Sequence, residues 1–506
     1  MRIVSADEMY CIDSYTTNQI GISGETLMEN AGQSIARLIM ERTDPNQKIV
    51  ILAGAGNNGG DGFVIARILK SFDFQVDLWT VPPYEKIKGA AKHALEVYKN
   101  SGYEALYFLE NEEHFFNLLS TYDVIIDCLL GIGVKGELRS PYKEIIDKIN
   151  TCKSAEIFSI DVPSGVPADG CDVDRAVRAD LTITIHLPKS GAFIYPCASY
   201  YGETIVADIG IPPIAAKHCS HNRMIWTDKL VKKHLPSRSP NSHKGSNGKG
   251  KVIGGSREMT GAIMLAAKAA LRCGAGLITA AIPEEIHPIA AAHFLEAMYL
   301  PSPSEDGYFK GNLSVEYENL DAVAVGPGIG RTKGGKLIVE EVITKELPVV
   351  IDADALYHLK DMLPLLKNRK HPTILTPHPG EMARLIDKSI KEVEQDRFSI
   401  SRLFAKEYGI YLVIKGPFTI VTTPGGEQFV NTTGNSALAK GGTGDALTGM
   451  ILAFIMQQTH VQSAISNAVF VHGKSADVLI EQEHTHFDVL STDLIENIPR
   501  TLKLLT

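Results

Sequence analysis

The sequence predicts two α/β domains, each built on a largely parallel sheet. Three observations carry this expectation. Short apolar runs of strand length alternate with helix-length stretches along the whole chain. Two glycine-rich segments each stand between an apolar run and a helical pattern. Between the halves, positions 211–246 are rich in Pro, Ser, Gly and Lys, which reads as a connector. A chain of 506 residues has room for two such domains, each with its own core.

In the first half, the runs at 48–54, 74–82, 122–130, 156–164, 179–187 and 204–211 are apolar over most of their length. That is how parallel strands read when helices cover both faces. Stretches 62–71 and 86–100 have helical length and character. Together they predict an open, Rossmann-like doubly wound sheet, with ligands at the carboxyl ends of its strands. The first run leads into Gly54-x-Gly56-x-x-Gly59, just before a helix. Backbone amides of such a turn can cradle a pyrophosphate, and Asp77 follows where a nicotinamide dehydrogenase would place a ribose-binding acid. The loop also carries Asn57, Asn58 and Asp61. A carboxylate there repels a pyrophosphate and suits a ribose hydroxyl or a cation better. Two further loops end strands. Asp127 to Glu137 holds three glycines around Lys135, which suits an anion. Asp161-Val162-Pro163-Ser164-Gly165 sets an acid before a rigid turn, a position suited to acid/base work.

The second half repeats this logic, with runs at 250–255, 277–283, 321–326, 348–351, 373–376 and 411–415 and helices at 260–272 and 445–456. In the last helix Leu447, Met450, Ile451 and Phe454 share one face. It opens on Gly441-Gly442-Thr443-Gly444-Asp445. A glycine-rich turn at a helix start offers its amides to an anion. Asp445 in the first turn can accept a proton from a hydroxyl that attacks phosphorus. There is no Walker A sequence.

Composition narrows the classes. Acids outnumber bases 59 to 50, for a net charge of −9, which argues against a nucleic-acid binder. No run of roughly 18 apolar residues predicts a membrane span, and the N-terminal residues show no signal pattern. Seven cysteines without a C-x-x-C pair are expected to be reduced thiols of a cytoplasmic enzyme. Glycine accounts for 44 residues, more than half of them in the windows 54–62, 131–136, 245–255, 326–335 and 425–449.

The first-half motifs, with Leu27-Met28-Glu29-Asn30-Ala31-Gly32, resemble the NAD(P)HX epimerase domain of the bifunctional NAD(P)H-hydrate repair enzymes, over about residues 1–220. The resemblance implies epimerisation of a nicotinamide ring hydrated at C6, with Asp161 catalytic. It implies substrate contacts at Asn57, Asn58, Gly59, Gly60, Asp61, Gly131, Ile132, Gly133, Val134, Lys135, Gly136, Glu137, Tyr142 and Asp161, and a potassium ion at Asn58, Asp127 and Ser164. In the second half, Gly434 to Leu447 resembles the ribokinase-like superfamily. The segments 246–255, Thr260-Gly261-Ala262, Gly326 to Gly330, Asp352 to Leu356, Thr376 to Glu381 and Lys415 to Thr419 are similar, in family order, to its NAD(P)H-hydrate dehydratase branch. This resemblance covers about residues 235–500.

The second resemblance implies that Ala262, Gly328, His378 and Asp445 contact the hydrate, and that Lys415, Gly416, Pro417, Phe418, Thr419 and Gly444 hold ADP or AMP, with Mg²⁺ accompanying ADP. Asp445 would take the hydroxyl proton while the nucleotide donates phosphate, which then leaves. The amides of Gly441, Gly442, Thr443 and Gly444 would meet the phosphoryl charge. The expected division is an epimerase domain at 1–220 and a dehydratase domain at 221–506. The expected partners are NADHX, NADPHX and ADP, with no nucleic acid and no membrane, for a homo-oligomer in the cytoplasm. A small-molecule kinase, a nucleotide-binding sensor and a dehydrogenase remain open readings of the same residues.

Overall fold

The apolar runs of the first half become the strands of one parallel sheet in the computed structural model, which describes residues 1–133, 136–170, 172–311, 313 and 317–506. The chain divides into two units, Met1–His221 and Asn222–Thr506. In the first, β1 (Lys48–Ala53), β2 (Gln75–Thr80), β3 (Leu106–Tyr107), β4 (Val124–Cys128), β5 (Glu156–Ile160), β6 (Leu181–Ile185) and β7 (Glu203–Ala207) pair in the order β3-β2-β1-β4-β5-β6-β7. Every pairing is parallel. Both faces are covered, as the apolar runs require. Ile49, Ile51 and Ala53 pack with Ile35 and Phe63, while Val50 and Leu52 face Trp79 and Phe115. Each such fully buried aliphatic side chain contributes about 1.5–3 kcal/mol.

The strand order reverses between β1 and β4, so their following loops diverge and leave a crevice. A Cβ on Gly54 would fall 1.9 Å from the Leu129 carbonyl oxygen, and one on Gly59 would fall 2.0 Å from the Gly54 oxygen. The two glycines let the loop after β1 press against the loop after β4 and seat the helix Asn57–Ser71 on its own strand.

The second unit has a ten-stranded sheet and a small hairpin. Its strands are β8 (Arg223–Trp226), β9 (Lys249–Ile253), β10 (Leu277–Pro283), β11 (Met298–Ser302), β12 (Ser304–Glu305), β13 (Tyr308–Phe309), β14 (Ala322–Val325), β15 (Val349–Ile351), β16 (Thr373–Leu375), β17 (Tyr411–Ile414), β18 (Ile420–Thr422) and β19 (Gln428–Asn431). The order is β11-β10-β9-β14-β15-β16-β17-β18-β19-β8, with β12 and β13 forming the hairpin. Pairing is parallel from β11 through β17, but β18 runs antiparallel to both neighbours. The switch lies between β9 and β14. There a Cβ on Gly254 would fall 2.1 Å from the Pro327 carbonyl oxygen, and the Gly255 amide donates to that oxygen at 2.8 Å.

Three expectations need correction. The connector at 211–246 contains the helix Pro213–Cys219, β8 and the helix Asp228–His234. β8 pairs parallel with β19, and its Trp226 is buried against Phe429 with Nε1 donating to Asn467 at 3.0 Å. Four residues are too few to show alternation among prolines and lysines. The helix Thr443–Gln457 is buried all round, not on one face, because the helix Thr260–Arg272 covers it: a Cβ on Gly449 would fall 1.9 Å from the Ala266 carbonyl oxygen. Finally, Cys11 and Cys219 form a disulfide instead of remaining thiols. The helix Ala6–Tyr15 lies against Pro213–Cys219 and brings their Cα atoms to 5.6 Å, within bonding range. Among the described residues no helix is long and apolar enough to cross a membrane.

The packing at the first switch is testable. Gly54→Ala should destabilise the protein by about 1–3 kcal/mol in urea unfolding, because the methyl group meets backbone. Gly56→Ala is the control. Its φ is −89° and a Cβ there meets nothing within 4 Å, so its effect should stay within about 0.5 kcal/mol.

Candidate active sites

A cavity of about 1080 Å³ opens at the β1/β4 switch. Asn57, Asn58 and Asp61 enter it from the start of the helix Asn57–Ser71. Leu129 to Gly133, Gly136, Glu137 and Tyr142 enter after β4, Asp161 after β5, and Lys189 beyond β6. The sequence reading missed a further wall. Met9, Tyr10 and Asp13 line the cavity from the helix Ala6–Tyr15. The Tyr10 hydroxyl lies 2.8 Å from where a Gly133 Cβ would be, so the helix leans on that loop.

Lys189 is almost wholly buried, and its ammonium donates to Asp161 Oδ1 and, at 3.0 Å, to the Ile185 carbonyl. The Ile185 amide also donates to Asp161 Oδ1, at 3.0 Å. Asp161 holds a left-handed backbone, φ 69°, a strained conformation of the kind found at functional sites. Asp61 and Asp13 bear carboxyls raised above the usual range, first by burial and then by neighbouring aspartates.

Deeper in, Asp127 accepts from Ser159 Oγ at 2.8 Å, the Ser164 amide at 2.8 Å and Ser164 Oγ at 2.5 Å. Burial pushes its carboxyl up, against the pull of these bonds. Asn58 Nδ2 donates to the Leu130 carbonyl at 2.8 Å, while Asn58 Oδ1 is buried without a hydrogen-bond partner. A buried oxygen left over beside a carbonyl that Ser164 also reaches, at 3.2 Å, is what an oxygen-ligated cation would satisfy.

Several expected residues stand elsewhere. Gly59 and Gly60 do not line the cavity. A Cβ on Gly60 would fall 2.5 Å from Met28 Cε, so both glycines serve close packing. Val134 and Lys135 lie outside the described residues. Asp77 is mid-strand in β2 and accepts from the Tyr122 hydroxyl at 2.7 Å, not at the strand's carboxyl end. The dehydrogenase reading loses its ribose-binding acid.

In the second unit the predicted loops converge through a chain of contacts. Gly328, at φ 67°, packs on Ala262, whose Cβ is 3.1 Å from where a Gly328 Cβ would be. The Gly330 amide donates to Asp354 at 3.2 Å. The neighbouring Asp352 is buried, and it accepts from Lys415 Nζ at 2.8 Å and Thr448 Oγ1 at 2.6 Å. Lys415 also lies 3.9 Å from Glu381, which caps the His378 amide at 2.8 Å. His378 itself is exposed and caps the helix Pro379–Leu385. Buried Arg397 holds the Lys415–Thr419 loop through the carbonyls of Pro417, Ile414 and Lys415, the last two at 3.0 and 3.2 Å. Within that loop Phe418 has φ 54°.

The turn Gly441 to Gly444 is pinned from beneath. Thr443 Oγ1 donates to Leu438 and Lys440 carbonyls at 2.9 Å, His472 Nε2 contacts the Thr443 carbonyl at 2.9 Å, and Ser491 Oγ donates to the Gly441 carbonyl at 2.9 Å. Burial lowers the His472 pKa to about 4. The imidazole is therefore neutral, and it bonds that carbonyl as an N–H donor. Lys415 Nζ lies 3.5 Å from where a Gly444 Cβ would be, over the start of the helix. Asp445 follows, and its carboxyl is raised to about 7 by burial, then by Asp352 and Glu381, with Lys415 opposing. Sequence reading missed His472, Arg397 and Thr448, which act from below the loops. A cation, an anion hole and a neutral-range acid at one helix start can bind a transferring phosphoryl group and move a proton.

A family model described as NAD(P)H-hydrate dehydratase matches residues 251–500, and one described as YjeF-related protein N-terminus matches residues 24–191. The chain is 35% identical over 518 residues to the bifunctional NAD(P)H-hydrate repair enzyme Nnr of Moorella thermoacetica, covering 99% of this chain and 97% of that one. It is 34% identical over 520 residues to the protein of the same name from Thermofilum pendens, covering 100% and 97%. Among solved structures, an ADP/ATP-dependent NAD(P)H-hydrate dehydratase from Bacillus subtilis, co-crystallised with ATP and Mg²⁺, is similar with a TM-score of 0.51 and 34% identity. The match covers 57% of this chain and 100% of that one.

The Asp445 environment sets a pH dependence. A base must be deprotonated, and a raised pKa leaves the acid form dominant below about 7. Nucleotide-dependent turnover, read as kcat/KM, should rise tenfold per pH unit toward that value and level off above it. Asp445→Asn should abolish the limb and cost at least about 100-fold.

Proposed function

We infer the activity from kinship and geometry together: the chain belongs to the family of bifunctional NAD(P)H-hydrate repair enzymes. It repairs NADH and NADPH hydrated at C6 of the nicotinamide ring, epimerising the two C6 forms and dehydrating one of them at the expense of ADP. End-to-end similarity to relatives of that name carries this reading. We assign epimerisation to Met1–His221 and dehydration to the ribokinase-like Asn222–Thr506, where the dehydratase model matches.

In dehydration the difficulty is a poor leaving group. Asp445 takes the proton of the C6 hydroxyl, whose oxygen attacks the terminal phosphorus of ADP and releases AMP. Lys415 and the Gly441–Gly444 amides meet the charge of the transferring group. Phosphate then leaves from C6, assisted by the ring nitrogen, and loss of a C5 proton restores the dihydronicotinamide. Mg²⁺ would come with the nucleotide and neutralise phosphate charge, since it binds mainly through phosphates and water. In the epimerase cavity, Asn58 Oδ1, the Asp127 carboxylate and Ser164 Oγ would hold potassium, an all-oxygen set with one oxygen otherwise unsatisfied. Its charge would favour ionised Asp127.

NADHX, NADPHX and ADP are the partners of this reading, and it places the enzyme in the cytoplasm as a homo-oligomer. A reducing compartment keeps Cys11 and Cys219 under pressure to open, so non-reducing mass spectrometry of protein taken from cells tests the location against the disulfide.

The direct test supplies both epimers of NADHX with ADP and Mg²⁺. The NADH absorbance band should return beyond the amount of one epimer, with AMP and phosphate formed in equal amounts. Asp445→Asn should stop this while leaving epimer exchange intact. Replacing potassium by tetramethylammonium should slow exchange alone. Persistence of both epimers with folded wild-type protein would refute the reading.

A further inference from the structure

Of the carboxylates that line the epimerase cavity, Asp161 and Asp13 differ most clearly in what surrounds them. Asp161 is committed: the Lys189 ammonium and the Ile185 amide both donate to its Oδ1. Asp13 lines the same cavity from the helix Ala6–Tyr15 and, among the described residues, forms no side-chain hydrogen bond or ion pair. The groups facing it are Tyr10 on its own helix, Asp61 on the helix Asn57–Ser71, and the Asp161–Lys189 pair beyond β5 and β6. Burial pushes its carboxyl up to about 6, with Lys189 drawing it down and Asp161 pushing it up.

We propose that Asp13 is a further catalytic residue of the epimerase site, carrying the proton between the C6 hydroxyl and the ring nitrogen of the hydrate. The proposal rests on the epimerase reading above. The hydrate is a cyclic hemiaminal, with the hydroxyl oxygen and N1 both bonded to C6. One carboxylate can therefore reach both. Asp13 takes the hydroxyl proton, the oxygen pair forms C6=O, and the C6–N1 bond breaks with its electrons going to N1. Asp13 then delivers the same proton to N1, giving an open aldehyde and an N–H enamine conjugated with the carboxamide. Rotation of the chain presents the other aldehyde face. N1 adds to it, and the proton returns through Asp13 to oxygen. No co-reactant is consumed. The Asp161–Lys189 pair is a positioning device in this scheme, a fixed local charge that sets the Asp13 proton affinity.

The test uses the full chain without ADP, starting from one separated epimer of NADHX, so that only exchange is read. Asp13→Asn should slow kcat for exchange at least about 100-fold with KM little changed. ADP-dependent dehydration of the productive epimer should be unaffected. Wild-type kcat/KM should fall as pH drops through about 6, because the base becomes protonated. Asp13→Asn should lose that limb, and Asp13→Glu should keep it at a shifted pH. Should Asp13→Asn not fold, as judged by circular dichroism, the shifted limb of Asp13→Glu decides. Exchange by Asp13→Asn within about threefold of wild type, a loss confined to KM, or an unmoved limb in Asp13→Glu overturns the assignment. A folded wild-type chain that exchanges no epimers overturns the epimerase reading itself, and Asp13 with it.

Discussion

Both units depend on backbone meeting backbone where their strand order reverses. At Gly54 the space a methyl group would need belongs to the Leu129 carbonyl oxygen, and at Gly254 it belongs to that of Pro327. Strands that diverge in order leave a crevice between their loops. Its shape depends on how closely those two loops approach. With any side chain at Gly54, the loop carrying Asn57 and Asn58 would move away from the loop carrying Leu130, and the bond between Asn58 and the Leu130 carbonyl at 2.8 Å would be lost. Gly54 and Gly254 therefore stand where two loops must share one wall of a crevice.

Charge is then laid into each crevice in the same pattern. A lysine pairs with an aspartate at a strand's carboxyl end, buried Lys189 with Asp161 and half-buried Lys415 with Asp352. Beside each pair stands a carboxylate with no hydrogen bond or ion pair among the described residues, Asp13 in one unit and Asp445 in the other. Buried ion pairs add little stability, because desolvation offsets their attraction. Their value here is a fixed charge in a low-dielectric wall, close to a second acid that stays free to titrate.

Much of this was legible in the sequence, and what was not has physical causes. Strands β1, β4 and β5 are buried on both faces, so a largely apolar run marks them. The turn Gly441 to Asp445 is marked by a run of consecutive residues, although the His472 and Ser491 that pin it lie far along the chain. β3, with two residues, and β8, with four, are too short to carry a pattern. β18, with three residues, is likewise too short to mark, and its antiparallel direction leaves no periodic trace. Lys189 and Asp161 meet across 28 residues, and Cys11 meets Cys219 across 208. Such pairs exist only once the sheet has folded. Asp13 sits on a helix before the first strand, and nothing in its neighbours announces that this helix closes the cavity. Gly59 lets its helix approach the end of β1 and Gly60 lets it approach Met28, and in sequence such glycines look the same as ones that let a ligand approach.

The lysine of each pair has a definite sign. Burial alone disfavours every carboxylate in these walls, and the paired aspartate adds to that penalty for its neighbour. Asp161 pushes Asp13 up and Asp352 pushes Asp445 up, while Lys189 and Lys415 pull the same two acids down. The results lie at about 6 and about 7. Remove the positive charge and both acids climb further and hold their protons more tightly. Remove burial and both fall to the ordinary carboxylate range, where they are too weak to take a hydroxyl proton. A carboxylate that is to accept a hydroxyl proton at neutral pH, the role proposed for both acids, draws on both influences at once. A lysine locked to one aspartate, rather than free to pair with the working acid itself, is the arrangement that supplies the charge without consuming the base.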